Sequence, residues 1–275
     1  MVTNSQIGKY GLGEQLFQYA VLKRISLQNA YRLRLNVYHK NFLLSKFNIG
    51  NYEIIAPDEI EKIPNIYQEK HFHFDPGVLR VPFDTDVRGY FQSEKYFQPI
   101  ADVIRQELTL TDRSVLETVR DFTDSLRKTG SELISMDVKR GNVLLDKSLE
   151  IDTSPGLNYY RRAMNFFNKG IDRPIFVICS EDMKWCRENF KRPNIVYSPF
   201  KTEVENLELM RTCDRNIIAN NALSWWGAWL NENPQKQAIA PKHWFGLSLR
   251  RLGMPLTLKL SDSTKDLIPQ NWMTI

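Results

Sequence analysis

The 275-residue chain is 42% apolar and 25% charged, carries three cysteines, and sets 37 basic residues against 32 acidic ones for a net charge of +5. This is globular composition, enough for one large domain or two of about 130 residues, and no apolar run nears the ~20 residues that span a bilayer. The positive balance suits an anionic ligand, an anionic membrane surface or a solvated basic face, and the lack of a basic block with interleaved aromatics argues against nucleic acid.

Met1 to Ile7 has neither a basic nor an apolar signal segment and reads as a first strand from Val2. Gly11 and Gly13 then allow a tight turn and close backbone approach, ahead of a helix with Leu16, Phe17, Ala20, Val21 and Ile25 at helical spacing. A Gly-x-Gly after a strand is half of a dinucleotide fingerprint; without the third glycine, a plain structural turn explains it equally well. Residues 32–37 alternate as a strand. His71 and His73 share a strand face, and Asp84 and Asp86 have the Asp-x-Asp spacing that some transferases use for a metal. Neither pair has the further ligands that a complete site needs. Helices are expected over 95–108 and 114–128, and Gly130 breaks the pattern, which places the domain boundary there, 1–130 and 131–275.

Beyond Gly130 the pattern alternates: strands over 132–138, 174–179, 194–198, 216–219 and 236–240, helices over 156–168, 182–190, 203–212 and 225–231. Ser154-Pro155 reads as a helix start, Thr202-x-x-Glu205 as a capping box, and Ser224 as the N-cap of the last helix. Such alternation means α/β architecture with a parallel sheet, whose ligands sit at the strands' carboxyl ends. The polar groups there are 137–142, 180–182, Ser198 and 220–224. The run from Asn216 to Leu230 organises the chain: a short buried strand, a polar corner, then Trp225, Trp226 and Trp229, rings that read first as core. Ser180, Glu181 and Asp182 either cap the next helix or meet a ligand, and Lys139-Arg140 is either a solvated pair or an anion contact. Cys179, Cys186 and Cys213, odd in number and without metal-type pairing, read as reduced core thiols of a cytoplasmic protein.

Several segments together resemble the α-1,2-fucosyltransferases of glycosyltransferase family 11. They are Gly11 to Ala20, Gly89 to Phe97, Ser180 to Cys186, Asn216 to Leu230, Ala240-Pro241-Lys242-x-Trp244-Phe245 and Asp266-Leu267-Ile268-Pro269-x-x-Trp272. The resemblance implies a GT-B fold with two Rossmann-like domains facing a cleft, the first on the acceptor side and the second holding the GDP-sugar. It implies a GDP-β-L-fucose donor, no metal or other cofactor, and inverting transfer to the 2-hydroxyl of a galactoside, here a galactose-terminated oligosaccharide or lipid-linked surface glycan. Peripheral contact with the inner membrane fits the basic charge.

By that likeness Lys139, Arg140, Asp137 and Glu14 are the catalytic candidates. Gly11, Gly13, Gln15, Asn142, Ser180, Glu181, Asp182, Asn206, Asn220 and Ser224 are the donor-binding ones. The family's His-x-Arg-Arg-Gly-Asp reads Asp137-Val138-Lys139-Arg140-Gly141-Asn142 here, Glu14 stands where Asn is usual, and Asn206 where Asp is usual. Substitution confined to polar positions fits altered specificity or a non-catalytic nucleotide- or glycan-binding relative. A nicotinamide oxidoreductase rests on Gly11-Leu12-Gly13 alone.

Overall fold

The computed structural model describes residues 1–36, 42–127, 130–140, 142–146, 149–152, 154–244 and 264–275, with 142–146 and 149–152 by backbone alone. Two compact units emerge: Met1–Asp112 with Ser261–Pro269, and Arg113–Leu260 with Gln270–Ile275.

The first unit runs β1 (Val2–Thr3), α1 (Leu12–Asn29), β2 (Arg34–Leu35), α2 (Phe42–Lys46), β3 (Glu53–Ile54), α3 (Pro57–Ile60), β4 (Asn65–Gln68), β5 (Thr85–Arg88) and α4 (Ala101–Glu107). β1, β5 and β4 pair in parallel in that order, and so do β2 and β3. A parallel bridge from Val2 to Leu33 joins the two groups. The spatial order is therefore β3-β2-β1-β5-β4, and the winding reverses between β1 and β5. The expected first strand is cut to two residues because Ser5 to Gly8 form a turn, with Gly8 at φ 88. Gly11 caps α1 at φ −63, which any residue adopts, so the freedom of glycine is used at Gly8.

Helix α1 is buried almost all round, Gln15, Gln18 and Lys23 included. Lys23 is tolerated inside because its ammonium meets Glu107 at 2.6 Å and the Gly50 carbonyl at 3.2 Å, while Tyr19 donates to the other Glu107 oxygen. A buried charge is stable only when paired in this way. The helix expected over 95–108 is broken: Pro99 falls in the second of two 3-10 turns, and α-helix begins only at Ala101.

The second unit contains α5 (Arg113–Arg127), β6 (Glu132–Val138), the antiparallel pair β7 (Asn142–Asp146) and β8 (Leu149–Asp152), then α6 (Leu157–Gly170), β9 (Pro174–Ser180), α7 (Met183–Asn189), β10 (Ile195–Tyr197), α8 (Glu203–Thr212), β11 (Arg215–Ile217), α9 (Ala222–Leu230), β12 (Ala238–Ala240) and β13 (Met273–Thr274). Six parallel strands lie in the order β10-β9-β6-β11-β12-β13, reversing between β6 and β11. Ile134, Met136 and Ile178 pack with Tyr160, Phe167 and Phe190 on one face. On the other, Leu133, Val177 and Cys179 meet Val119, Leu209 and Met210. All three cysteines are buried and free, two on the second face and Cys186 on the first.

The expected boundary at Gly130 lies beyond α5, which packs with α8 and so joins the second unit. The chain also crosses back. Asp266 accepts the Phe74 amide at 3.1 Å and pairs with Lys95, and its carbonyl receives the Ser93 hydroxyl at 2.7 Å. Trp272 packs on Trp225 at 5.4 Å and leads into β13. The Thr202–Glu205 capping box is present as expected. Helix α6 starts at Leu157, capped by Gly156, two residues beyond the expected Ser154-Pro155 start.

Candidate active site

The second unit brings Asp137, Lys139 and the Asn220–Ser224 corner to the carboxyl ends of β6 and β11, the two strands flanking the reversal. That is where open parallel sheets leave a crevice. Asn221, and not Ser224, is the N-cap of α9: its side-chain oxygen accepts the Ser224 amide at 2.9 Å, while its nitrogen donates to the Asp137 carboxylate at 2.5 Å. Ser224 is fully buried, its hydroxyl accepting the Ala219 amide at 3.1 Å and lying 3.4 Å from the Ala219 carbonyl. It therefore shapes the corner from within, where its hydroxyl also supports the Asp137 carboxylate.

Burial raises the Asp137 pKa; hydrogen bonds from Asn221 and Ser224 and the charge of Lys139 oppose the rise. Lys139 reaches Glu181 at 2.8 Å in a pair open to solvent on the glutamate side. The Arg140 guanidinium lies over the Trp185 ring, 4.4 Å from its centroid, a cation–π contact. Ser180 donates to the Val138 carbonyl at 2.7 Å and accepts the Asp182 amide at 3.0 Å; Asp182 caps α7 through the Trp185 amide at 3.0 Å. Within this run Asp182 caps the helix, Ser180 ties the end of β9 to β6, and Glu181 meets Lys139.

Asn220 is turned away, holding the carbonyls of His243 and Trp244. Asn206 accepts the Ser198 hydroxyl at 3.2 Å and donates to the Thr202 carbonyl at 3.0 Å, a local brace at the end of β10. Gly141 and the side chain of Asn142 lie outside the described residues, as does Phe245. The three indoles are core: Trp225 and Trp226 are fully buried and Trp229 nearly so. A Cβ on Gly227 would come within 2.5 Å of the Met210 Cβ, so α8 and α9 touch closely there.

Glu14 and Gln15 lie in the first turn of α1 in the first unit, Gln15 buried and donating to the Tyr10 carbonyl at 3.0 Å. Asp84 takes the Met1 amine at 2.9 Å. Asp86 takes the Ser5 amide at 2.8 Å and Arg88 at 2.7 Å, so both carboxylates serve the strand they begin. His71 and His73 stack on each other, centroids 4.7 Å apart. Among the described residues no three metal-ligating side chains gather, and no helix is long and apolar enough to cross a membrane. A cavity of about 470 Å³ in this unit opens beside Met1 and Arg34, away from the carboxyl ends, among charges that already pair with one another.

Sequence reasoning missed Asn221 as the residue that holds Asp137, although an Asn three residues before Ser224 is a legible cap. It also missed Trp185 as the seat of Arg140; no local signal marks that contact.

Two parallel α/β units, each with its winding reversed beside its first strand, are the architecture of the GT-B fold. A solved structure of POFUT1 in complex with GDP-fucose shares the fold, with a TM-score of 0.50 at 11% identity over 90% of this chain and 98% of that one. Residues 11–246 match glycosyl transferase family 11, and the chain belongs to that family. An alpha-1,2-colitosyltransferase of Escherichia coli is 26% identical over 86% of this chain and 90% of its own length. Galactoside alpha-(1,2)-fucosyltransferase 2 of Rattus norvegicus is 27% identical over 84% of this chain and 67% of its own. The chain is thus fucosyltransferase-like, as its motifs suggested.

Proposed function

We propose that this chain moves L-fucose from GDP-β-L-fucose to the 2-hydroxyl of a galactoside, with inversion and without a metal, at the cytoplasmic side of the inner membrane. The acceptor is a galactose-terminated oligosaccharide or lipid-linked glycan. The observation that carries this reading is the convergence of Lys139, Asp137 and the start of α9 on the β6/β11 reversal, in a chain of glycosyltransferase family 11. In the reaction the acceptor oxygen bonds to the fucose anomeric carbon as the bond from that carbon to the β-phosphate oxygen breaks. GDP leaves with the electron pair, and the hydroxyl proton passes to a carboxylate, for which Asp137 and Glu14 are the candidates.

Lys139 and Arg140 neutralise the departing diphosphate, aided by the positive end of α9. To do so Lys139 exchanges Glu181 for phosphate, and Arg140 swings from Trp185 or stays as its support. The test is calorimetric titration with GDP and GDP-fucose, followed by transfer to a lactoside with the linkage read by NMR, before and after EDTA. An α-1,2 product that survives EDTA is expected; loss restored by a divalent ion would overturn the metal-free mechanism. Binding without turnover would leave a non-catalytic relative.

A second reading is favoured by the Escherichia coli relative, whose name makes it a colitosyltransferase. GDP-colitose run beside GDP-fucose decides between them by kcat/KM.

A further inference from the structure

The first unit's reversal is lined by rings. Tyr10 follows β1, Phe72 follows β4 and Tyr90 follows β5, so one aromatic leaves the carboxyl end of each of three neighbouring parallel strands. Tyr10 and Tyr90 have centroids 5.1 Å apart at 52°; Phe72 stacks on Tyr90 at 6.1 Å and 18°. All three are half-buried.

Their backbone is held hard. Gln15 pins the Tyr10 carbonyl. The Glu69 carboxylate accepts the amides of Tyr90 at 2.6 Å and Phe91 at 3.0 Å. Gly89 sits at φ +150 and Phe91 at φ 55, and a Cβ at Gly89 would meet the Glu69 Cβ at 2.4 Å. A non-glycine residue in the left-handed region persists only where its surroundings over-determine it, which is characteristic of ligand sites. The charge beside the rings is acidic: Glu69 holds the Tyr90 amide, the charges of Glu14 and Glu69 act on the Tyr90 phenol, and that phenol donates to Tyr10. Carboxylates repel a diphosphate but accept sugar hydroxyls.

We infer that Tyr10, Phe72 and Tyr90 form the acceptor platform, seating the apolar C–H face of a neutral hexopyranose against their rings while Glu14 accepts its hydroxyls. The negative faces of aromatic rings attract such C–H groups, and apolar walls with a few polar groups orient a small ligand. This deepens the transferase reading and rests on it.

The experiment compares the parent with Tyr90→Leu, Phe72→Leu and Tyr90→Phe. The leucines keep apolar volume without a π face. Each leucine variant should raise the acceptor KM about tenfold, with the affinity for GDP, read by calorimetry, within about twofold of the parent. Tyr90→Phe should stay near the parent, because its ring face remains. An unchanged acceptor KM in both folded leucine variants overturns the platform, and so does a fall in GDP affinity, which would put the guanine there. Should the parent show no transfer, saturation-transfer NMR with a methyl galactoside separates the two questions. A sugar signal that the parent gives and the leucine variants do not supports the platform while the transferase reading falls. A signal of equal strength in the variants, or none in the parent, overturns the platform too.

Discussion

The two units solve one topological problem with opposite chemistry. Each has a parallel sheet whose winding reverses beside its first strand, β1/β5 in one and β6/β11 in the other, and each gathers loop residues at the carboxyl ends there. In the second unit the gathered groups are charged: Asp137, Lys139, Arg140 and Glu181. In the first they are rings: Tyr10, Phe72 and Tyr90, with acid beside them. A reversal supplies a crevice and nothing more; the side chains choose the guest. Cations at a helix start suit a leaving diphosphate, and rings with carboxylates suit an uncharged sugar.

The largest test of this division is at Lys139. A charge-assisted contact to a leaving phosphate is worth roughly 2–4 kcal/mol in the transition state, so Lys139→Ala should cost about two to three decades of transfer. Lys139→Arg should keep activity, the guanidinium adding a second parallel hydrogen bond where there is room. A folded Lys139→Ala within about threefold of the parent would remove Lys139 from the site. In the same assay Lys139→Ala should leave the affinity for a methyl galactoside unchanged, the converse of Tyr90→Leu.

Glu69 offers a pH test of the ring corner. Burial, the dominant cause, lifts its pKa from 4.5 to about 7, against the two backbone hydrogen bonds that favour ionisation. The folded value lies above the unfolded one, so the contribution to stability is full below about pH 4.5 and is lost as pH rises through about 7. The span is at most ~3 kcal/mol. Amide-exchange protection in the first unit should decline over this window in the parent and much less in Glu69→Gln. A flat parent profile would mean that the two amide bonds outweigh burial.

Asn221 tests the other corner by stability. Asn221→Ala removes the cap of α9 and a donor to Asp137, for about 1–2 kcal/mol by chemical denaturation. Asn221→Ser keeps a capping oxygen and loses the reach to Asp137, so it should recover part of that loss. If both variants unfold with the parent, the Asn221–Asp137 bond carries no stability.

The second unit was far more legible in sequence than the first. Its strands and helices alternate with a clear change of period, and β6, β9 and α8 fall within a residue of their expected spans. The first unit hides its sheet in strands of two to four residues, too short to show alternation, and assembles them through long-range bridges such as Val2 to Leu33. The site divides likewise. Placing Asp137 and Lys139 at a strand end needed only the order of elements. The inward turn of Ser224 and the use of Asn206 and Asn220 as braces depend on partners that no local spacing reveals. Tyr90 passed as part of a family motif because its meaning lies in Tyr10 and Phe72, 80 and 18 residues earlier in the chain.

The smallest expected effect sharpens the comparison most finely. Glu181 is mostly exposed and pairs with Lys139 at 2.8 Å, so an incoming diphosphate must take the ammonium from a carboxylate that also repels it. An exposed pair of this kind is worth roughly 0–1 kcal/mol. Removing the charge with Glu181→Gln should therefore tighten GDP by up to about fivefold at low salt. The gain should shrink at high ionic strength, because ~3 Å of Debye length at 1 M screens the open carboxylate. Methyl galactoside binding should not move. Weaker GDP binding in Glu181→Gln would mean that Glu181 accepts a hydrogen bond from the donor itself, through the ribose or the guanine edge. Glu181 would then be a contact of the second unit's guest and no competitor for Lys139.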